Sequence, residues 1–305
     1  MSFRKGKAKH GNAALDVMMK ELAQLNDMKV LDPVSPSDLT FEQRKNALRA
    51  VHLIKEKRDG SLKGRMCVDG SPQRSLYNRE DTASPTVSSD ALMLGLIVDA
   101  HERRDVAVAD VRGAYLHAEN DDDTIMVLED DIVGIMESVD AVYTKFIHTD
   151  RKGKRKLYVH LTKALYGLVR SALLWYNLFS STLINDDYVL NKYDACTVNK
   201  VVNGKQLTIQ FYVDDLKIFH VDPEVVDKAL SSLEERFGKL EASRGCNHEF
   251  LGMSIVFNKE ERTVSINMKS YIEKAVQEFG EDLSKIKPVV SAAASYLFSY
   301  PVDDC

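Results

Sequence analysis

One segment in the second half of the chain constrains the fold more than any other part of the sequence. Its apolar and β-branched residues fall into three short runs, at 195–202, 206–213 and 216–221. The first two runs are separated by Asn203-Gly204, a dipeptide that favours the positive φ of a tight hairpin turn. The second and third are separated by Asp214-Asp215, so the pattern predicts an antiparallel three-stranded meander with two acids at its second turn.

The remaining patterns alternate between helix and strand. Helical spacing of apolar residues predicts helices over 13–25, 88–101, 171–184 and 270–279, and a further helix that starts at Pro223. Strand patterns predict hairpins that join 51–57 to 62–68, 142–148 to 157–161, and 250–257 to 263–268. A single strand is predicted at 105–111, with Asp110 on its apolar face. Because hairpins outnumber parallel crossovers, we expect an α+β architecture.

Composition sets the class of protein. The chain has 305 residues, 44% of them hydrophobic and 29% charged, which suits one large or two modest soluble domains. Its longest apolar run, 91–98, is far shorter than the roughly 20 residues of a membrane-spanning helix, so no membrane partner is expected. The basic segment 1–10 leads into no apolar signal core, which argues against secretion. The four cysteines lack CxxC spacing, so we expect reduced thiols and an intracellular location.

Charge is distributed unevenly along the chain. The 41 basic and 46 acidic residues give a net charge of −5, which by itself argues against a nucleic-acid partner. Residues 1–76, however, hold fifteen basic and nine acidic residues. Nine acids and no Lys or Arg lie between Arg112 and Lys145, and a basic cluster follows at 151–156. A charge run is usually a solvated face, but the two basic regions could provide a local path for a nucleic acid.

Asp214 and Asp215 carry the most informative chemistry in the sequence. A hairpin turn can direct both carboxylates toward one site, where their repulsion is tolerated only with solvation or a bound metal. Asp110 ends a separate predicted strand, and an acid on an apolar strand face is costly to bury unless something binds it. Three carboxylates at neighbouring strand ends would suit two Mg²⁺ ions, as in phosphoryl-transfer enzymes. An ordinary polar turn, or a structural cation site in an unrelated α+β domain, is the alternative explanation.

Seven short motifs follow one another along the chain in a specific order and spacing. They are Lys63-Gly64-Arg65-Met66-Cys67-Val68, Ser84-Pro85-Thr86-Val87, Asp110-Val111-Arg112-Gly113-Ala114-Tyr115-Leu116, Leu161-Thr162-Lys163-Ala164-Leu165-Tyr166-Gly167-Leu168, Leu174-Trp175-Tyr176, Tyr212-Val213-Asp214-Asp215 and Phe250-Leu251-Gly252. Each motif is weak alone. Together they make the chain, from about residue 14 to 290, resemble the reverse transcriptase of copia-type retrotransposons.

The resemblance implies a right-hand polymerase with fingers, a ferredoxin-like palm built on an antiparallel sheet, and a truncated thumb. It implies RNA-directed DNA polymerase activity, in which two Mg²⁺ ions, or Mn²⁺ in their place, support transfer from a dNTP to a primer 3′-hydroxyl. The implied partners are an RNA template, a DNA primer or RNA-DNA hybrid, and dNTPs. The implied location is the cytoplasm, within a retroelement particle, with the nucleus as a second compartment.

The resemblance also assigns catalytic and nucleotide-binding roles to individual residues. The catalytic, metal-binding aspartates match Asp110, Asp214 and Asp215, and Val111 falls in the same metal site. The residues that match the nucleotide site are Lys63, Arg65, Tyr115, Tyr166 and Gly167. Tyr115 matches the aromatic position that stacks under the incoming sugar and rejects a 2′-hydroxyl. From the residues alone, Tyr115 could also be a core aromatic, and Lys63 with Arg65 a solvated strand face.

A second group of residues matches the primer and template path, namely Tyr212, Phe250, Leu251 and Gly252. Without the resemblance, Gly252 is also consistent with a simple bulge in a strand. The implied division of the chain is an N-terminal helical arm at 1–35, fingers at 36–87 and 117–160, palm at 88–116 and 161–258, and the primer-grip end with a partial thumb or connection at 259–305. We expect the acidic stretch 119–140 to project from the fingers, away from the template.

Two departures from the family pattern keep a second hypothesis open. The family usually follows the Ala164-Leu165-Tyr166-Gly167-Leu168 segment with Lys-Gln-Ala-Pro-Arg, whereas this chain has Val169-Arg170-Ser171-Ala172-Leu173. No ribonuclease H segment is expected in a chain that ends at Cys305, so we do not expect it to degrade the RNA of a hybrid. The alternative function is therefore that of a catalytically inactive retroelement remnant that only binds nucleic acid.

Overall fold

Helices and strands alternate irregularly in the computed structural model, which describes residues 1–57 and 60–279. The helices are α1 (Phe3–His10), α2 (Asn12–Asp27), α3 (Phe41–Asn46), α4 (Ser89–Glu102), α5 (Asp131–Val139), α6 (Ser171–Asn185), α7 (Pro223–Phe237) and α8 (Lys269–Phe279). Short 3-10 helices lie at Ser71–Ser75, Ala114–His117 and Ala141–Phe146. Within the described ranges, no helix is both long enough and apolar enough to span a membrane.

The strands within the described residues form three sheets. They are β1 (Leu31–Val34), β2 (Leu48–Glu56), β3 (Leu62–Val68), β4 (Asp105–Asp110), β5 (Ile125–Glu129), β6 (His148–Thr149), β7 (Arg155–Leu161), β8 (Val189–Leu190), β9 (Thr197–Val202), β10 (Lys205–Tyr212), β11 (Asp215–His220), β12 (Glu241–Arg244), β13 (Asn247–Phe250), β14 (Met253–Asn258) and β15 (Thr263–Asn267). The amino-terminal sheet has the order β1-β7-β5-β2-β3, with β6 beside β7. The central sheet has the order β12-β4-β11-β10-β9-β8, and the small sheet β13-β14-β15. Antiparallel pairs dominate, so the α+β prediction is confirmed.

The predicted meander forms the middle of the central sheet. β9, β10 and β11 pair as consecutive antiparallel strands, as their sequence indicates. Asn203 and Gly204 connect the first two with φ values of 52° and 72°, the left-handed conformation that this dipeptide favours. The predicted hairpin at 51–57 and 62–68 is also present as β2 and β3, although Asp59 of its turn lies outside the described residues.

Different elements cover the two faces of the central sheet. On one face, side chains of α6 and α7 such as Phe179 and Leu233 pack against Ala107 and Ile209. On the other face, α4 and the small sheet share a separate core that includes Leu96, Val106, Phe219, Phe250 and Ile255. Because successive strand residues point to opposite faces, the face that carries Val106 and Val108 is also the face of Asp110.

The predicted strand at 142–148 is wrong for most of its length. Residues Ala141–Phe146 form a 3-10 helix, and only His148–Thr149 pairs with β7 in this part of the described chain. The Asp140 carboxylate accepts a 2.9 Å hydrogen bond from the Val142 N–H, which starts a helical turn. Tyr143 is buried, and its hydroxyl donates to the Asn26 side chain at 2.9 Å. A local cap and a long-range anchor therefore override the alternating pattern.

The acidic stretch and the basic cluster face each other on the amino-terminal sheet. The ion pairs join Glu119 to Lys163, Glu129 to Lys156, Asp130 to Lys154, Asp131 to Lys7, Glu137 to Arg155, and both Asp121 and Asp122 to Arg170. Three of the five cations within 151–156, Lys154, Arg155 and Lys156, are thus paired with carboxylates of the acidic stretch. A path for nucleic acid along this cluster stays a prediction.

Helix α2 packs directly on β3, at the strand that carries Lys63 and Arg65. A Cβ added to Gly64 would lie only 2.5 Å from the Val17 carbonyl oxygen, so the helix backbone contacts the strand backbone. The Glu21 carboxylate accepts a 3.1 Å hydrogen bond from the Met66 N–H of the same strand. The close approach therefore requires a glycine, and it fixes β3 relative to the amino-terminal helix.

We predict that Gly64→Ala destabilises the protein by about 1 to 3 kcal/mol, because the added methyl group would overlap the backbone of α2. Urea unfolding followed by circular dichroism would measure the loss. Gly134→Ala is the matched control. Gly134 lies within α5, and an added Cβ would meet only the Arg155 side chain, at 4.0 Å. Removing a helical glycine there should stabilise by about 1 kcal/mol. Equal effects of both substitutions would contradict the proposed close packing.

Candidate active site

The pairing of β4 with β11 brings the predicted aspartates together. Asp110 and Asp215 are direct partners in the antiparallel register, which places their Cα atoms about 5 Å apart. Asp214 occupies the adjacent turn, and its carbonyl oxygen accepts a 2.9 Å hydrogen bond from the Val111 N–H. Three acids from two separated segments therefore meet at one end of the central sheet.

The turn between β10 and β11 has an unusual backbone. Tyr212 pairs with Asp215, so Val213 and Asp214 are the two central turn residues. Val213 adopts φ of 56°, which lies in the left-handed region that β-branched residues rarely enter. Backbone strain of this kind persists only where the surrounding structure enforces it, and it concentrates at functional sites.

The acids at this site carry an unbalanced negative charge. Burial, the charge of Asp214 and the charge of Glu241 raise the pKa of Asp110, in that order. Burial, followed by repulsion from Asp214 and Asp110, raises the pKa of Asp215 to about 6. Lys63 and Arg112 oppose the shift at Asp110 without cancelling it. The site therefore favours either protonation or a bound cation.

The donor chemistry of this site fits a hard divalent cation. Aspartate carboxylates are ligands that Mg²⁺ prefers, and the raised pKa values mark charge that such an ion would offset. In the described part of the chain, however, no three His, Cys, Asp or Glu side chains already converge as a set that could hold a metal. The set is therefore not preformed. Metal ligation by Asp110, Val111, Asp214 and Asp215 stays a prediction.

A cavity of about 390 Å³ joins the acids to the predicted nucleotide-binding residues. Asp110 and Asp214 line it together with Lys63, Arg65 and Tyr166. Polar groups dominate the wall, which suits a charged ligand more than an apolar one. No residue of the acidic stretch 119–140 belongs to the described lining. The cavity thus gathers cationic and carboxylate side chains around one polar space.

The two predicted tyrosines pack on each other beside this cavity. The ring centroids of Tyr115 and Tyr166 are 4.7 Å apart, and the Arg65 guanidinium lies 4.3 Å from the Tyr166 centroid. Burial, followed by the nearby Asp214 carboxylate, raises the pKa of Tyr166 to about 12. A cation stacked on an aromatic face is held in a narrow range of orientations. Tyr166 therefore restrains Arg65, which lines the same cavity as Asp110 and Asp214.

Gly167 holds the segment that carries Tyr166 against β3. Its φ is 101°, and an added Cβ would lie 1.9 Å from the Val68 carbonyl oxygen. The Val68 N–H in turn donates a 2.8 Å hydrogen bond to the Tyr166 carbonyl oxygen. The geometry explains why glycine is needed at this position. A direct contact between Gly167 and a nucleotide stays a prediction.

The predicted primer residues lie on two turns. Tyr212 is exposed beside the acids, across the ladder from Asp215. Leu251 and Gly252 form the turn between β13 and β14 with φ of 49° and 78°. Phe250 is only 1% exposed and packs in the core beneath the small sheet, so its side chain supports the turn from within. This burial argues against direct contact between the Phe250 side chain and a primer.

Among the cavity residues that the sequence did not indicate are Glu21, Gln24 and Glu241. Glu21 and Gln24 come from α2, and a Cβ on Gly113 would lie 3.0 Å from Gln24 Nε2. Glu241 comes from β12, where it pairs with Asp110 on the side opposite Asp215 and forms an ion pair with Arg112. The polar face of an amphipathic helix hinted at the first two. No pattern indicated Glu241, because its position depends on the long-range pairing of β12 with β4.

Comparison with known sequences identifies the family. A family model described as reverse transcriptase (RNA-dependent DNA polymerase) matches residues 37–291, most of the chain. The chain therefore belongs to the reverse transcriptase family, and this confirms the expected fold class, an α+β right-hand polymerase. An unrelated α+β domain with a structural cation turn is thereby excluded.

Individual relatives place the chain within that family. It is 27% identical over 259 residues to the retrovirus-related Pol polyprotein from transposon TNT 1-94 of Nicotiana tabacum, a match that supports the copia-type resemblance. The match covers 83% of this chain and 18% of that polyprotein, so the chain spans about a fifth of its relative's length.

Among solved structures, the chain is similar to telomerase from Candida albicans in complex with a telomeric RNA fragment. The identity is 12% and the TM-score 0.42, with 80% of this chain and 48% of that chain covered. It is also similar to the prototype foamy virus protease-reverse transcriptase, at 16% identity and a TM-score of 0.37, with 75% and 24% covered. These superpositions are loose, and the family assignment rests on the sequence match.

We predict that Asp215→Asn stabilises the protein at about pH 7.5. The Asp215 carboxyl titrates near pH 6 when folded and near 3.8 when unfolded, so its ionisation costs stability as the pH rises from about 4 to about 6. An amide carries no such cost. Because the carboxylate is only partly buried, solvent screening limits the expected gain in unfolding free energy to about 1 kcal/mol.

Urea unfolding at several pH values would test this prediction. The variant should lose part of the wild-type decline in unfolding free energy between about pH 4 and 6. Asp16→Asn, at an exposed position of α2, serves as the control and should leave the decline in place. A variant that is no more stable than the wild type at about pH 7.5 would contradict the repulsion described for the three acids.

Proposed function

We propose that this chain is an RNA-directed DNA polymerase, the reverse transcriptase domain of a copia-type retrotransposon. The observation that carries the proposal is the polar cavity that Asp110 and Asp214 line together with Lys63 and Arg65. Carboxylates and cations around one polar cavity suit a reaction in which a triphosphate is bound, attacked and split. The family match and the retrotransposon relative support the same activity.

Each side of the cavity would perform a different part of nucleotidyl transfer. Lys63 and Arg65 would bind the triphosphate of an incoming dNTP, with Arg65 held in place by the Tyr166 ring. Tyr115, packed on Tyr166, would form the floor beneath the sugar. The primer 3′-hydroxyl would attack the α-phosphorus, and pyrophosphate would leave on the side of Lys63.

The acids would hold the cofactor. Asp110, Asp214 and Asp215, with the Val111 carbonyl, are the proposed ligands of two Mg²⁺ ions, or of Mn²⁺. Bound ions would lower the pKa of the primer hydroxyl and offset the charge of the leaving pyrophosphate. The raised pKa values of Asp110 and Asp215 favour this role, because the carboxylates lack sufficient counter-charge in the protein itself.

The sheets support a division into fingers and palm. We assign the amino-terminal sheet to the fingers, at 36–87 and 117–160, and the central sheet to the palm, at 88–116 and 161–258. The packing of α2 on β3 groups the arm at 1–35 with the fingers. Residues 259–305 would form the primer-grip end and a partial thumb, of which 280–305 lie outside the described residues. An RNA template, a DNA primer or hybrid, and dNTPs are the proposed partners, and a cytoplasmic particle and the nucleus the proposed locations.

We expect the protein to extend a DNA primer on an RNA template in the presence of dNTPs and Mg²⁺ or Mn²⁺. Asp214→Asn should lower the extension rate at least about 100-fold, since the amide removes a charged ligand of the metal site. Denaturing gel analysis of primer length would measure both rates.

Asp16→Asn is the matched control, because its carboxylate lies outside the cavity, and it should retain wild-type extension. Failure of the folded wild type to extend any primer would exclude the polymerase for this chain. If that protein still bound an RNA-DNA hybrid, the result would favour the alternative, a catalytically inactive remnant that only binds nucleic acid.

We predict that Tyr115→Ala weakens discrimination against ribonucleotides at least about tenfold, because removal of the ring would open space beneath the sugar for a 2′-hydroxyl. Single-nucleotide incorporation with dNTP and rNTP, compared as kcat/KM, would measure the ratio. Tyr115→Phe keeps the ring and should keep the discrimination. An unchanged ratio in the alanine variant would show that Tyr115 is a packing residue and not a steric gate.

A further inference from the structure

Trp175 occupies the centre of an aromatic cluster beneath the acids. It is the single tryptophan of the chain, lies on α6, and is 1% exposed. Its ring stacks on Phe179 at 5.1 Å between centroids and meets the edge of Phe237 at 5.3 Å. Helix packing explains why the ring is buried. A buried indole N–H, however, also needs a hydrogen-bond acceptor.

The indole N–H is used at the turn that carries Asp214. Trp175 Nε1 donates a 2.8 Å hydrogen bond to the carbonyl oxygen of Val213. Val213 is the residue whose φ of 56° is unfavourable for a β-branched side chain. The hydrogen bond therefore stabilises a backbone conformation that the local sequence disfavours, and this conformation sets the direction of the following peptide and its aspartate.

The same helix is also tied to the other side of the cavity. The buried Ser171 hydroxyl, at the start of α6, donates a 2.6 Å hydrogen bond to the Leu165 carbonyl oxygen. Leu165 immediately precedes Tyr166, the ring on which Arg65 stacks. One rigid helix thus holds both the segment that orients a nucleotide-binding cation and the turn that presents a catalytic acid.

We propose that Trp175 is a positioning residue for the catalytic turn: its indole N–H holds the Val213 carbonyl and thereby fixes the direction of Asp214. It touches neither substrate nor metal. The effect on catalysis rests on the proposed polymerase function, whereas the effect on the turn does not. The two are therefore measured separately.

Trp175→Phe tests the hydrogen bond, because it retains an aromatic ring in the cluster and removes the N–H. We expect kcat for primer extension to fall about tenfold while KM for dNTP changes less than about threefold, since Lys63 and Arg65 stay in place. The Mn²⁺ concentration for half-maximal extension should rise several-fold. Replacement of Trp175 by 3-benzothienylalanine, an isostere without the N–H, should reproduce these changes with the ring volume preserved.

Two measurements do not depend on polymerase activity. Amide hydrogen exchange of the peptide that spans 211–216 should accelerate in Trp175→Phe, and Mn²⁺ binding by the folded protein should weaken. Phe237→Leu is the packing control: it perturbs the ring that meets Trp175 but leaves the N–H in place, so it should lower thermal stability without accelerating exchange in that peptide.

The outcomes separate the two proposals. If wild type and variants all lack extension but Trp175→Phe still accelerates exchange at 211–216, the polymerase function fails and the positioning role stands. If the benzothienyl variant folds and matches the wild type in exchange, Mn²⁺ binding and kcat, the positioning role is overturned. It is also overturned if Phe237→Leu accelerates exchange as much as Trp175→Phe, because general packing would then explain the effect.

Discussion

The antiparallel ladder between β4 and β11 determines where the chemistry of this protein lies. Its register places Asp110 opposite Asp215, and the short turn before β11 adds Asp214 to the same end of the sheet. A register shift of one residue would send one of these acids to the opposite face, into the apolar core under α6 and α7. One face of the sheet is covered by α4 and the small sheet, and the other by α6 and α7. This packing fixes the register and therefore the positions of the aspartate carboxylates.

Electrostatic repulsion is the cost of this arrangement. The raised pKa values of Asp110 and Asp215 show that the folded protein holds negative charge at this site without full compensation. The cations that approach the acids belong largely to the amino-terminal sheet, where Lys63 and Arg65 lie on β3. Charge balance at the site thus depends on how the amino-terminal sheet is held against the central sheet. Helix α2 and the Tyr166-Gly167 segment make the contacts to β3 that hold it there.

Local patterns in the sequence predicted the structures that local forces determine. The meander and the β2-β3 hairpin follow from alternation and turn residues, and the three aspartates follow from where those strands end. Glu21, Gln24 and Glu241 could not be found in this way, because a helix-strand contact and the pairing of β12 with β4 bring them to the cavity. The segment 142–148 shows the opposite failure: a pattern typical of a strand lost to the Asp140 cap and the buried Tyr143.

The ion pairs between 119–140 and 151–156 have a consequence for binding in salt solutions. A lysine or arginine strengthens nucleic-acid binding mainly by displacing the counterions condensed on phosphates. A cation already paired with a nearby carboxylate must give up that partner first, so its net gain on meeting a phosphate is small. Lys154, Arg155 and Lys156 would therefore add little to the steepness with which affinity declines as ionic strength rises. That steepness would report instead on cations, such as Lys63 and Arg65, that line the cavity.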